Sequence, residues 1–185
     1  MSVTAVEFFS TATHYYIAGR FAAFAGLAPV VGNLLHHAIE MYLKGGLSKT
    51  KSLAELKKLR HDLPAVWSEF KAQFKQPALA QFDTLVCALH AFEELRYPDS
   101  VLAKGMCCTV SIKRPSSGAT GSGAGGAPPQ YDLCIEEIDR LVANIFGVAS
   151  VNPAFFTAGL NNSAKQYLNE GNTESELTSA ASRPV

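Results

Sequence analysis

Charge is scarce in this chain, and neither sign is in excess. The sequence holds 16 lysines and arginines against 16 aspartates and glutamates, and charged residues make up 17% of its 185 positions, below the roughly 25% of an average globular protein. The formal net charge is therefore zero. This balance excludes a uniformly basic nucleic-acid binder, although a local basic patch remains compatible with phosphate binding.

Long apolar runs, a basic leader and abundant cysteine are also missing. A transmembrane helix needs about 20 consecutive apolar residues, and the best candidate, Phe21 to Val31, is too short and contains a proline. The first residues carry Glu7 but no basic stretch, so they do not resemble a secretory signal. The cysteines, expected as reduced thiols, are Cys87, Cys107, Cys108 and Cys134. We therefore predict a cytoplasmic protein with no membrane partner.

The hydrophobic residues, 48% of the chain, recur mostly at helical spacing and suffice for one core. They predict five main helices and a short one (Leu53–Leu59), the main helices lying at about Thr4–Ala25, Val31–Leu43, Asp62–Phe74, Leu79–Arg96 and Ile135–Ile145. Gly26 is expected to end the first helix, and Gly45 with Gly46 the second. Asp62 is expected to cap the exposed amides of the helix that follows it.

Two short segments have a different period. Cys108, Val110 and Ile112 alternate with polar residues, and a second alternation begins at Tyr131, which together predict a small antiparallel hairpin. The connection is rich in glycine, serine, alanine and proline, so it is expected to be flexible. The predicted fold is an all-α, up-and-down bundle of about five helices with a β-hairpin insertion before the last helix. The bundle would span residues 1–148, with a flexible loop at 114–130, and residues 149–185 would form a tail with one short helix followed by disorder.

Three segments together resemble one protein family. They are His37–Lys44 on the second helix, Arg60–Leu63 before the fourth, and Glu94–Asp99, which contains the run Arg96-Tyr97-Pro98-Asp99. Their order and spacing are similar to the HEPN domain, in particular the branch with an RYPD element. The resemblance implies a helical bundle that is often a homodimer and often pairs with a small nucleotidyltransferase, in a toxin–antitoxin-like arrangement.

Some HEPN proteins are ribonucleases, and these carry a histidine four to six residues after an arginine. Here Arg96 is kept, but the residues up to Leu102 contain no histidine. The resemblance therefore implies a binding module rather than an intact nuclease. Arg96 with Tyr97 is a candidate phosphate site, because a guanidinium binds phosphate through two parallel hydrogen bonds. The alternative is that Arg96 pairs with Glu93 or Asp99 while Tyr97 packs under the turn.

A basic segment is the second candidate for phosphate binding. It comprises Lys44, Lys49, Lys51, Lys57, Lys58 and Arg60, opposed locally only by Glu55, and it is followed by His61. A phosphate backbone docked there would bind less tightly as salt rises. The alternative is a solvated edge without a ligand, with His61 simply entering the next helix.

No complete metal or catalytic set is evident. His36, His37 and Glu40 lie close together on the second helix, and His36 shares one helix face with Glu40, which suits a pair of metal ligands. A metal site needs more ligands, and the pair Cys107-Cys108 lies far along the chain on a predicted strand, so no metal and no cofactor are predicted. His61 beside Asp62 has the composition of an acid–base pair. The leading hypothesis is a module that binds nucleotide or RNA phosphate through Arg96, Tyr97, Lys44, Lys57, Lys58, Arg60 and His61, or that partners a nucleotidyltransferase. The alternatives are a divergent metal-independent endoribonuclease, in which His61 or His90 replaces the missing histidine, and a purely structural dimerisation module.

Overall fold

The computed structural model describes residues 1–113 and 128–178, and these are mainly helical. The α-helices are α1 (Val3–Phe24), α2 (Ala28–Leu47), α3 (Leu53–Lys58), α4 (Leu63–Phe74), α5 (Asp83–Ala91), α6 (Pro98–Lys104), α7 (Ile135–Val148), α8 (Ala154–Thr157), α9 (Asn162–Asn169) and α10 (Ser175–Thr178). Two 3-10 helices span Pro77–Phe82 and Phe92–Arg96, and the strands are β1 (Cys107–Ser111) and β2 (Gln130–Cys134). The predicted mostly-α class is confirmed. Among the helices of the described ranges, none is both long and apolar enough to cross a membrane.

Helices α1 and α2 form the central pair of the bundle. Gly26 adopts a left-handed φ of 71° between them, so its predicted role at the end of α1 is confirmed. Tyr42 donates a hydrogen bond to the Thr13 hydroxyl across the pair at 3.0 Å. Phe9 is fully buried, with ring centroids 5.6 Å from Tyr42 and 5.1 Å from Phe146 on α7. These contacts place α2 in the middle of the core.

Gly45 and Gly46 do not end α2, contrary to the prediction, because the helix continues to Leu47. A Cβ atom at Gly45 would lie 2.7 Å from the Phe9 ring, and one at Gly46 would lie 2.6 Å from the Phe70 ring. The two glycines therefore serve close packing of α2 against aromatic side chains of α1 and α4.

The prediction of one continuous helix over Leu79–Arg96 is wrong, because the segment is divided into three helical pieces. It consists of a 3-10 helix, α5 and a second 3-10 helix. Its predicted apolar face is nevertheless buried: Leu79, Phe82, Leu85, Val86, Leu89, Phe92 and Leu95. Because residues i and i+3 eclipse each other in a 3-10 helix, Phe92 and Leu95 both reach the core from its final segment.

The two strands pair in parallel, so the predicted antiparallel hairpin is wrong. Cys108 is opposite Tyr131, and Val110 is opposite Leu133. Alternation of apolar and polar residues does not distinguish parallel from antiparallel strand pairing. The length of the connection is more informative, because parallel strands require a crossover of about a dozen residues or more. The connection, residues 112–129, is long enough for this. Residues 114–127 of the loop that was predicted to be flexible lie outside the described residues.

Residues 149–178 pack on the bundle as three short helices. Leu168 and Leu177 are buried in the same core, and Phe156 stacks on Phe9 with ring centroids 5.7 Å apart. Helix α10 was not predicted from the sequence, because isolated apolar residues such as Leu177 gain burial only from a surface formed by distant helices. Residues 179–185 of the expected tail lie outside the described part of the chain.

Candidate functional site on helix α2

The polar side of α2 is buried rather than solvated. His36 and Glu40 are 0% exposed and Lys44 is 6% exposed. The turn between α3 and α4 covers this side through Arg60 and His61, while the segment Phe92–Arg96 covers His36. Burial of several ionisable groups on one helix face requires that they pair with one another.

Lys44 neutralises Glu40 beneath this cover. The Lys44 ammonium donates to Glu40 Oε1 at 2.6 Å and to the Arg60 carbonyl at 2.6 Å. Burial raises the pKa of Glu40, but the hydrogen bonds from Lys44 and His61 outweigh it, so the pKa is lowered overall and the carboxylate is ionised at neutral pH. Arg60 has a left-handed φ of 47°. This conformation is unfavourable for a residue other than glycine. In this turn the Arg60 carbonyl accepts the hydrogen bond from Lys44.

The second carboxylate oxygen of Glu40 faces two histidines. His61 Nδ1 lies 2.9 Å from Glu40 Oε2, and the His61 side chain is 54% exposed. His37 Nδ1 lies 3.8 Å from the same oxygen. The two imidazole rings stack with centroids 5.6 Å apart, and Tyr15 contacts the His37 ring edge-on. Burial lowers the pKa of His37, Glu40 opposes this, and electrostatic interactions with His61 and Arg96 lower the pKa further.

His36 lies in a second group of polar side chains beside the first. Its Nδ1 is 3.1 Å from Glu93 Oε1, and its Nε2 is 3.5 Å from His90 Nδ1. Burial lowers the pKa of His36 to about 4, although Glu93 and Glu40 oppose the shift, so the ring is neutral at neutral pH. Arg96 Nη1 lies 3.4 Å from Glu93 Oε2, which is the ion pair weighed above as the alternative for Arg96. Tyr97 is 67% exposed and so does not pack under the turn.

Gly32 permits this second group to form. A Cβ atom at Gly32 would lie 1.9 Å from the Phe92 ring, so the absence of a side chain lets the segment Phe92–Arg96 lie directly on α2. That contact holds Glu93 beside His36 and holds Arg96 close enough for its charge to act on His37.

A shallow cleft of about 260 Å³ opens beside Glu40. Lys57, Arg60 and His61 supply its polar rim. Its apolar walls are formed by Phe8, Met41, Leu53 and Leu56. Lys57 and Lys58 are exposed at the end of α3, and within the described ranges neither they nor the Arg60 guanidinium form an ion pair.

The other lysines of the basic segment have structural partners. Lys44 is buried as described, Lys49 donates to the Ala149 carbonyl, and Lys51 forms an ion pair with Glu69 at 2.9 Å. The segment predicted as one basic surface is thus divided into structural lysines and an exposed set of Lys57, Lys58 and Arg60.

The structure also adds residues that the sequence reasoning missed or set aside. Glu93 was considered only as an ion-pair partner of Arg96, and His36, His37, Glu40 and His90 were considered but set aside. The sequence did contain one indication of this cluster. Four of the five histidines of the chain lie within the three HEPN-like segments or close to them.

The chain matches no protein-family model, no curated protein and no solved structure. The similarity to the HEPN domain therefore rests on the three sequence segments, and what that similarity implies for this chain remains a proposal.

Proposed function

We propose that this protein is a HEPN-like binding module that holds the phosphate of a nucleotide or of RNA in the cleft beside Glu40. The observation that carries the proposal is the convergence of Lys57, Arg60 and His61 on a cleft with apolar walls. The cations bind the phosphate, and the apolar walls accept the base or ribose. A homodimer, a nucleotidyltransferase partner and a cytoplasmic location belong to the same proposal through the family resemblance.

Two features support a positive potential at this place. Glu40 is already neutralised by Lys44 at 2.6 Å, so its charge does not cancel that of Lys57 and Arg60. Arg96 does not line the cleft, but it acts electrostatically on His37, which stacks on His61, so we infer that Arg96 adds positive charge beside the cleft. A single nucleotide would occupy the cleft alone, whereas an RNA strand would also reach Arg96 and Tyr97. Lys44 is buried with both partners in place, so it supports the site without contacting phosphate.

Calorimetric titration with ATP and with a short single-stranded RNA tests this proposal. Arg60→Ala is expected to weaken both ligands about tenfold, corresponding to about 1.4 kcal/mol, and Arg96→Ala is expected to weaken RNA more than ATP. Binding should fall as salt is raised, with a smaller salt dependence in either variant. Lys165→Ala on α9 removes the same charge elsewhere and should leave both affinities unchanged.

Equal binding by the wild-type protein and Arg60→Ala would contradict the proposal. No binding of either ligand, together with a dimer in sedimentation, would favour the purely structural dimerisation module. Recovery of a nucleotidyltransferase with the tagged protein would favour the partner role.

One observation favours an endoribonuclease as the second candidate. His61 is half exposed and its Nδ1 contacts a buried carboxylate, Glu40, at 2.9 Å, which is how a general base is oriented. His90 instead contacts His36 and is only partly exposed, so His61 is the better candidate for proton transfer. RNA cleavage in excess chelator that is lost in His61→Ala, but kept in His90→Ala, would establish this activity. Cleavage that persists in both variants would remove the mechanism.

A further inference from the structure

We propose that His36, His37 and Glu40 form a binding site for a divalent transition-metal ion of the zinc class. One potential ligand atom from each of these three side chains lies within 4.8 Å of the other two. The metal proposal does not depend on phosphate binding at Lys57 and Arg60, although Glu40 also lines that cleft.

The spacing of the donor atoms suits one ion. Nitrogen and oxygen ligands lie about 2.0–2.2 Å from Zn²⁺, so two ligands of one tetrahedral ion are about 3.4 Å apart. His37 Nδ1 and Glu40 Oε2 are 3.8 Å apart. A small rotation of either side chain brings the pair to the required separation.

A buried nitrogen without a partner is the independent sign of a ligand. His36 Nδ1 is inaccessible to solvent and makes no hydrogen bond to residues 1–113 or 128–178, whereas most buried polar side-chain atoms make at least one. Glu93 Oε1 lies 3.1 Å from this nitrogen without hydrogen-bonding geometry. Glu93 is therefore a candidate for a further ligand beside the group of His36, His37 and Glu40.

The surroundings hold the ligands as metal sites require. Ligating carboxylates are usually hydrogen-bonded through their other oxygen, and ligating histidines through their other ring nitrogen. Lys44 donates to Glu40 Oε1 at 2.6 Å, so Oε2 is the oxygen that would bind the ion, in place of its present contact with His61 Nδ1 at 2.9 Å. His36 Nε2 lies 3.5 Å from His90 Nδ1. Two imidazoles and one or two carboxylates favour Zn²⁺, Co²⁺ or Ni²⁺ over Mg²⁺ or Ca²⁺, which prefer all-oxygen ligand sets.

The test is titration of the chelator-stripped full chain with ZnCl₂ and, in parallel, with CoCl₂. The proposal expects one ion per chain with a dissociation constant in the micromolar range or tighter, and visible absorption bands of tetrahedral Co²⁺. His37→Gln and Glu40→Gln should each weaken binding at least tenfold. His14→Gln, which removes an exposed histidine of α1, should bind as the wild type does. Circular dichroism checks that each variant is folded.

Each outcome of these titrations either supports the metal site or overturns it. Tight one-to-one binding that is lost in a folded His37→Gln supports the site. Unchanged affinity in a folded His37→Gln overturns it, and so does wild-type binding that is millimolar, above one ion per chain or equally lost in His14→Gln. If Glu40→Gln does not fold, His37→Gln decides the matter, because His37 is only partly buried.

Discussion

At the scale of single residues, several of the chain's few charged side chains are buried. Arg20, Glu40, Lys44 and Asp139 are each buried and each hydrogen-bonded to an opposite charge. Burying a charge without a partner is costly, and a buried pair often gains little over apolar residues of similar size. Such pairs are therefore poor evidence for stability as such.

His36 makes the stability of the metal-free protein depend on pH. Its pKa is about 4 in the folded protein against an ordinary value of 6.5, because burial outweighs the attraction of Glu93 and Glu40 while His90 and His37 add repulsion. Protonation therefore favours the unfolded chain. The contribution of neutral His36 to the free energy of unfolding is fully present above pH 6.5 and decreases as the pH is lowered. It is lost below about pH 4, and the total loss is roughly 3 kcal/mol.

Urea denaturation in excess chelator, at about pH 7 and about pH 4.5, measures this dependence. Other groups titrate in the same range, so the informative quantity is the difference between the wild type and His36→Gln. The variant should lose less stability on acidification, whereas His14→Gln should follow the wild type. An identical loss in His36→Gln would show that the buried ring does not control acid stability.

At the scale of elements, the period of the apolar residues predicted most helices, and long-range contacts explain the failures. The face from Leu79 to Leu95 and the cap at Asp62 are local features, and the structure confirms both. The roles of Gly45 and Gly46 depend on aromatic rings from α1 and α4, which no local pattern reveals. Strand direction likewise depends on the path of the connection rather than on alternation.

The residues of the candidate site also divide into those that local motifs predict and those that depend on long-range contacts. Arg96, Arg60 and His61 could be proposed from short motifs, because the types of neighbouring residues were informative. The pairing of His37 with His61 and of His36 with Glu93 joins segments that are distant in sequence. For that reason the sequence did not show that the polar side of α2 is covered by these segments.

Gly32 provides a test of how closely the segment Phe92–Arg96 must lie on α2. Gly32→Ala would place a Cβ atom 1.9 Å from the buried Phe92 ring, so we expect a loss of about 1–3 kcal/mol from overpacking. Gly147 on α7 is the matched control, because its Cβ would meet no atom of the described residues within 4 Å. Gly147→Ala should stabilise the helix by about 0.5–1 kcal/mol. Chemical denaturation measures both, and equal effects of the two substitutions would contradict the close approach.

At the scale of the whole molecule, Arg20 joins the first helix to the last described segment. Its guanidinium forms an ion pair with Asp139 of α7 and donates to the carbonyls of Tyr167 (2.7 Å) and Glu170. Asn172 in turn donates to the Tyr16 hydroxyl at 3.2 Å. Residues 161–172 are therefore fastened to the bundle by polar contacts as well as by the burial of Leu168.

Arg20→Met should remove that fastening. Asp139 would remain buried without its cation, so we expect a loss of about 3–5 kcal/mol, and hydrogen exchange should accelerate first at residues 161–178. Arg140→Met, on an exposed position of α7, should change stability by less than about 0.5 kcal/mol. Unchanged exchange across residues 161–178 in Arg20→Met would mean that apolar packing alone holds the segment.

The position of Arg20 also has a consequence for the order in which the chain is made. Its partners lie 119, 147 and 150 residues further along. At roughly 5–20 residues per second of synthesis, α1 waits about 6–30 s for them. During that interval the side chain at position 20 is exposed at the ribosome, where a hydrated guanidinium resists the association that an apolar residue of that size would invite.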